Sequence, residues 1–458
     1  MKTSSPGLAE LDYRHVWHPF TPMLLWEEEG APVIERGEGS WLIDTEGRRY
    51  LDGTSSLWVI LHGHGHPHIT AALKRQADRL CHSTMLGLTN EPASRLAAKL
   101  VEIAPDGLER VFYSDNGSTA MEVAIKMAYQ YRRLSPDPAE RQRTGFISFR
   151  NAYHGDTIGS VSTGGIDLFH GTFRDLLFPV ESSEYPYHYR SGGGLDREQY
   201  RDKCLAGLEE VIGRNRERAG TVVIEPLVQG AGGMVTAEVG FLAGVRDLCD
   251  RYGMLLVADE VATGFGRTGR MFACGHESVR PDFLCLAKGI TGGYLPLAAT
   301  LTTGHIYERF LGTRENPVTF YHGHSYTGNP LAAAAALASL EVFEKENVLE
   351  NLPSTIEFLA RALKEQVEPL AAAGEVRRRG MMVGIELVAD RESRAAFAPG
   401  LRFPKRVILE ARRRGVIIRP LGDVIVLMPH LSFSEQELAM LVEVTAGSIE
   451  KVWREVNG

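Results

Sequence analysis

Short apolar runs and helical spacings divide the chain into three textures. Near the N-terminus, residues 40–44 and 49–52 are strand-like and flank the turn Thr45-Glu46-Gly47, which predicts a β-hairpin. Helical spacing follows over 69–81 and again over 93–103. From about 107 to 303 the pattern alternates. Apolar strands are expected over 110–113, 145–148, 221–224, 254–258 and 283–286, with a helix over 120–132. Continuous apolar strands separated by helices imply a buried, mostly parallel sheet. The Gly-rich run 191–194 is expected as a surface loop and the Ala-rich run 331–343 as a helix. Beyond it the texture becomes α+β. Helices are expected over 356–367, stopped by Pro369, and over 407–414, with strands over 382–387, 416–419 and 424–427. A last helix begins at Ser434, where Glu437 completes a capping box. The expected division is an N-terminal segment 1–65, a large unit 66–335 and a smaller C-terminal unit 336–458.

Composition narrows the function. With 458 residues the chain is long enough for one large core and a smaller one, and 44% apolar with 24% charged residues is ordinary for a globular protein. A net charge of −8 argues against a nucleic-acid surface, and the short Arg runs 377–379 and 412–414 are read as solvated faces. Five scattered cysteines without a CxxC pair suggest a reduced, cytoplasmic setting. The polar stretch 1–14 lacks a signal-peptide pattern, and no apolar run is long enough for a membrane span. The expected location is cytoplasmic, with no nucleic-acid or membrane partner.

Four places carry candidate chemistry. The strand ending in Asp259 would put a carboxylate at the crevice edge of an α/β sheet, with Val261 on the same face. A loop-capping Asp is the plainer reading of that residue alone. Lys288 follows another apolar strand and is flanked by Gly289, Gly292 and Gly293. Desolvation would make it a competent amine nucleophile, although a lone lysine is more often a surface residue. Together they suit pyridoxal 5'-phosphate (PLP), which takes a Schiff-base lysine and a carboxylate at its ring nitrogen. Gly117 and Ser118 between a strand and a helix could cradle a phosphate, though helix capping by Ser118 or Thr119 uses the same residues. Tyr153 could stack on the ring, or be a buried Tyr beside a turn.

The ordered set Asn116-Gly117-Ser118, Tyr153-His154-Gly155, Asp259 to Gly269, Lys288-Gly289 and His324 to Pro330 resembles the class III, fold-type I PLP aminotransferases over nearly the whole chain. The resemblance implies a large α/β domain with a mostly parallel sheet flanked by helices, and a smaller α+β domain built from both terminal segments. It implies that Lys288 is catalytic and that Gly117, Ser118, Tyr153, Glu225, Asp259 and Val261 bind the cofactor. His324 and Ser325 would reach the phosphate of a neighbouring subunit, in a homodimer with active sites at the subunit interface.

Within the class, residues 16–23, 52–58, 267–274, 286–294, 418–420 and 427–429 resemble the enzymes of biotin biosynthesis that aminate 8-amino-7-oxononanoate to 7,8-diaminononanoate. Arg419 matches the position that clamps the acceptor's distal carboxylate, for which an Arg fork is suited. A structural ion pair is its plainer reading. Substrate contacts are expected from Phe20, Leu57, Trp58, Tyr153, Asp156, Gly323 and Arg419. Phe20, Leu57-Trp58 and His324-Ser325 stand where the S-adenosylmethionine-using form has Tyr, a Trp pair and Pro-Thr. These choices resemble the subset that takes its amino group from L-lysine, so lysine is the expected donor, with S-adenosylmethionine otherwise. Rivals are an ω-amino acid–pyruvate aminotransferase, which shares the PLP residues, and a non-enzymatic PLP-binding regulator, which would need a DNA-binding module. The run His62, His64, His66, His68 suggests a metal site. It lacks acidic or Cys partners in sequence, so a loop leading into a helix is the plainer account and no metal is expected.

Overall fold

The computed structural model describes residues 7–457; the first six residues of the polar N-terminal stretch lie outside the described residues. At its centre is a seven-stranded sheet in the order Leu108–Ser114, Ala298–Thr303, Phe283–Leu286, Leu255–Asp259, Ala219–Ile224, Gly145–Phe149, Glu181–Ser183. Only Ala298–Thr303 runs antiparallel to its neighbours. The central strands are buried at every position, as their unbroken apolar runs require. Two strands of this sheet were not expected. Glu181–Ser183 is a short polar edge, and Ala298–Thr303 is rich in Thr and Ala. The hydroxyl of Thr300 is satisfied inside the core by donating to the Ala120 carbonyl at 2.8 Å.

Two four-stranded sheets and one two-stranded sheet, Val228–Gln229 with Val235–Thr236, accompany this one. The hairpin Trp41–Asp44 with Arg49–Asp52 forms as expected, joined by Ile34–Glu38. The single strand expected over 416–419 is divided. Val416–Ile417 pairs in parallel with Leu51 and Asp52, whereas Arg419–Leu421 turns at Gly422 and pairs with Val424–Leu427. That hairpin joins Met382–Leu387 and Ala373–Arg379 in a four-stranded antiparallel sheet. The C-terminal chain therefore closes back on the N-terminal segment.

Helix boundaries extend the expected spans. The helix expected from 356 begins at Val348 and carries Pro353 inside it, anchored by buried Val348 and Leu352. The expected boundary at 335/336 lies within the helix Pro330–Lys345, whose run of alanines continues past that point. Ser191 ends the short helix His188–Ser191, and Gly193 and Gly194 turn at the surface after it. The final helix Glu435–Asn457 opens with the expected reciprocal contacts between Ser434 and Glu437. Among the described residues, no helix is long and apolar enough to cross a membrane.

Candidate active site

The carboxyl ends of the parallel strands meet at a cavity of about 420 Å³. It is lined by Gly117, Ser118, Tyr153, Glu225, Asp259, Val261 and Lys288, with Leu57 and Trp58 from the N-terminal segment. Each of the first seven ends or follows a strand of the central sheet, where the strand ends leave a crevice.

Lys288 follows the Phe283–Leu286 strand and takes a φ of +41°, left-handed backbone that costs a non-glycine residue energy. Its Nζ lies 5.3 Å from the centre of the Trp58 ring and has no hydrogen-bond partner among the described residues. Burial lowers its pKa, against the opposing charges of Asp259 and Glu225. The amine is therefore held closer to its neutral, nucleophilic form.

Asp259 is buried at the last position of its strand. One carboxylate oxygen accepts from the Val261 N–H at 3.0 Å and the other lies 2.7 Å from His154 Nδ1. His154 is a site residue that the expected set missed. It sits beside Tyr153 in sequence, but its contact with Asp259 spans 105 residues and shows only in the fold. Glu225 is buried next to this pair. Its oxygens accept from the N–H groups of Tyr153 at 3.0 Å and Gly230 at 2.9 Å. Burial, and after it the charge of Asp259, raises its pKa to about 7. The Tyr153 hydroxyl donates to Asp156 at 2.8 Å, and the Asp156 N–H donates to Ser118 Oγ at 3.0 Å. Asp156 thus supports Tyr153 and Ser118 without lining the cavity.

The helix Gly117–Arg133 points its N-terminus at this cavity. Its cap is Asn116, whose side chain accepts from Thr119 while Thr119 returns a contact to the Asn116 N–H. The capping alternative weighed for Ser118 or Thr119 therefore gives way to Asn116. Gly117 and Ser118, in the first helical turn, keep N–H groups that the helix itself does not use. Gly117 is required by close approach, since a Cβ there would lie 2.7 Å from Val261 Cγ1.

Other expected residues lie off the cavity wall. Phe20 is 57% exposed and meets Phe169 edge-on at 5.5 Å; Phe169 in turn meets Tyr153 at 6.1 Å. His324 Nδ1 is 3.3 Å from Asp115, a cavity residue of the same chain. The Ser325 carbonyl faces His82 Nε2 at 2.7 Å, and Gly323 is exposed nearby in sequence. Arg419 is half-buried and has no ion-pair partner among the described residues, so its plainer reading as a structural ion pair lacks a partner; burial alone lowers its pKa. The four histidines of the 62–68 run go to separate partners, Ser339, Asp52, Glu346 and Glu341. Among the described residues no group of three or more His, Cys, Asp or Glu converges as a metal site would require.

Known proteins match this arrangement along its length. The family described as aminotransferase class-III matches residues 26–448. The chain is 56% identical over 442 residues to a protein of Nitratidesulfovibrio vulgaris named adenosylmethionine-8-amino-7-oxononanoate aminotransferase, covering 96% of this chain and 81% of that one. A protein of the same name from Geobacter sulfurreducens is 53% identical, covering 97% and 98%. Among solved structures, the adenosylmethionine-8-amino-7-oxononanoate aminotransferase of Methanocaldococcus jannaschii superposes with a TM-score of 0.91 at 45% identity, covering 97% of this chain and 98% of that chain. A thermostable (S)-enantioselective omega-transaminase from Thermomicrobium roseum superposes with a TM-score of 0.93 at 36% identity, covering 98% and 100%.

Proposed function

Because the chain belongs to the class III aminotransferases, we propose that it aminates 8-amino-7-oxononanoate to 7,8-diaminononanoate in biotin biosynthesis, with L-lysine as the amino donor. The observation that carries the proposal is a single cavity holding Lys288, Asp259 and the Gly117–Ser118 helix start, in a chain 56% identical to a protein named for amination of that ketone.

The residues present fit PLP, the cofactor of this class. A helix N-terminus with unused N–H groups suits a phosphate, and a buried carboxylate suits a protonated pyridine nitrogen. Gly117 and Ser118 would hold the phosphate, Asp259 the ring nitrogen, and Tyr153 and Val261 the ring. When bound, PLP supplies an electron sink that stabilises negative charge at the carbon losing its proton. Lys288 Nζ, whose pKa burial lowers, would attach the cofactor and would move the proton at the reacting carbon. His154 Nδ1 and the Val261 N–H keep Asp259 oriented, so that its carboxylate would face the ring nitrogen. Glu225 lies against this pair and ties the Tyr153 and Gly230 backbones. Arg419, half-buried without an ion-pair partner among the described residues, suits the acceptor's distal carboxylate. His324 and Ser325 would serve the neighbouring subunit's phosphate in a homodimer.

The lysine reading rests on Phe20, Leu57-Trp58 and His324-Ser325; of these Phe20 and Leu57 withhold the hydroxyl and second indole of the alternative form. A second donor, S-adenosylmethionine, is favoured by the names of the relatives at 56% and 53% identity. A second acceptor class is favoured by the omega-transaminase superposition. Absorbance of the pyridoxal-form enzyme separates these. Lysine is expected to convert it to the pyridoxamine form and S-adenosylmethionine is not; the reverse overturns the lysine donor. Added 8-amino-7-oxononanoate is expected to restore the pyridoxal form. Restoration by pyruvate with none by 8-amino-7-oxononanoate overturns the acceptor.

A further inference from the structure

The wall that brings Leu57 and Trp58 to the cavity has an unusual backbone. Ser55, Ser56 and Trp58 all take positive φ, at 51°, 60° and 66°. Ser56 pairs its φ with a ψ of −78°, near the strained form of the γ-turn. None of the three is glycine, so this conformation persists only if its surroundings impose it.

Asp52 is the group that imposes it. Its carboxylate is 1% exposed and accepts from the Ser56 N–H at 2.7 Å, the Ser56 hydroxyl at 3.1 Å and the Thr54 N–H at 3.3 Å. His64 Nε2 completes the set, 2.9 Å from the same Oδ2 that Ser56 uses. His64 is itself fixed. Its backbone pairs with Gly39 in both directions, and a Cβ on Gly37 would lie 2.7 Å from its side chain. Beyond this pair, Ser55 Oγ donates to the Met428 carbonyl at 2.7 Å, and the Gly53 N–H donates to Ile417 at 3.0 Å, two residues before Arg419. The fully buried Arg267, bound to the carbonyls of Pro429 and Ile60, lies near enough to feel the charge of Asp52.

The geometry points to Asp52 and His64 as a positioning pair for the aminotransferase site. They hold the strained Ser55–Trp58 segment so that Trp58 stays beside Lys288 and Leu57 beside the substrate. The pair touches neither substrate nor cofactor and acts through Ser56. A carboxylate is needed because several donors converge on it, and a neutral amide would turn an N–H toward at least one of them. This assignment rests on the function proposed above, and deepens it by naming what sets the shape of the specificity wall.

The test is a set of variants of the full chain loaded with PLP. Asp52→Asn is expected to raise KM for 8-amino-7-oxononanoate about tenfold or more while kcat changes by less than about threefold, because the wall and not Lys288 is displaced. Ser56→Gly added to Asp52→Asn is expected to recover at least about half of that loss, since glycine adopts positive φ freely. In a Trp58→Ala background, Asp52→Asn is expected to add less than about twofold, the non-additivity of residues acting as one unit. Amide hydrogen exchange over residues 53–61 is expected to rise in Asp52→Asn and to stay unchanged in the helix Pro67–Arg79. Should Asp52→Asn not fold, His64→Gln carries the same exchange and KM measurements. A KM within about twofold of wild type, full additivity with Trp58→Ala, or unchanged exchange over 53–61 overturns the positioning pair. If wild-type enzyme fails to turn over 8-amino-7-oxononanoate, it is the functional reading that falls, and the exchange comparison still decides the pair.

Discussion

At the scale of single residues, Lys288 and Glu225 carry the strongest consequences. Lys288 is separated from ordinary surface lysines by its burial and by the absence of a hydrogen-bond partner for its amine among the described residues. Lys288→Ala is expected to leave PLP bound only reversibly. Borohydride should then fix no cofactor to the chain, as checked by mass spectrometry, and a fixed cofactor would remove Lys288 from its assignment. Glu225 makes a pH-dependent contribution to stability. Burial first, and Asp259 after it, lifts its pKa from 4.5 to about 7. Between those values the folded chain keeps a proton that the unfolded chain has released. Its contribution to stability is therefore fully present below pH 4.5 and is lost as pH rises through about 7, by up to roughly 3 kcal/mol. Glu260, raised by burial to about 6, adds slope in the same window. The melting temperature of the cofactor-free protein should thus fall from pH 5 to pH 8 less steeply in Glu225→Gln than in wild type. Parallel melting profiles would remove Glu225 as a source of that slope.

At the scale of elements, the helix start at Gly117 and the divided strand at Ile418 decide how the site is shaped. Gly117→Ala would drive a methyl group against Val261 at the point where the helix N-terminus faces the cavity. The expected outcome is a weakening of PLP binding by about tenfold, or about 1.4 kcal/mol, in a titration of the cofactor-free protein. Arg419→Lys keeps the charge but loses the planar fork, and is expected to raise KM for the acceptor by about tenfold. An unchanged KM would point the carboxylate elsewhere. The central strands and the residues after them were legible in the sequence because burial on both faces leaves unbroken apolar runs, and functional groups sit where those runs stop. Asp259, Lys288 and Gly117 were singled out that way, and all three line the cavity. Ala298–Thr303 was not, since threonines satisfied by a helix carbonyl look polar in sequence. The division at Ile418 was not visible either, because 416–419 is one apolar run whose halves pair with partners hundreds of residues apart or with a local hairpin. His154, Asp52 and His64 were missed as site residues for the same reason: their chemistry lies in contacts across the fold, and in the case of His64 the alternating histidines suggested a metal that their separate partners do not support.

At the scale of the whole molecule, the segments around Leu86 and Tyr321 suggest where a second copy sits. Leu86, Leu88, Tyr321 and Tyr326 are 89%, 62%, 86% and 60% exposed. Their segments pack on each other through His82 with Ser325 and Asn90 with Gly328. Large apolar side chains exposed on two segments that pack together suit a self-complementary interface. His324 belongs to the same segment, and in the single chain it rests 3.3 Å from its own Asp115 at the cavity. Two arrangements follow. In one, His324 serves its own site; in the other, the dimer redirects it to its neighbour's. Co-expression of Lys288→Ala with His324→Ala chains separates them. If each site takes Lys288 from one subunit and His324 from the other, every mixed dimer has one doubly defective site and one fully intact site. Half of the dimers are mixed, so about a quarter of wild-type turnover should return in a preparation whose parents are each impaired. If His324 serves its own chain, each site in the mixed dimer carries one defect, and turnover should stay at the average of the two parents. Recovery well above that average is the expected outcome, measured on the whole co-expressed preparation without selection for mixed dimers.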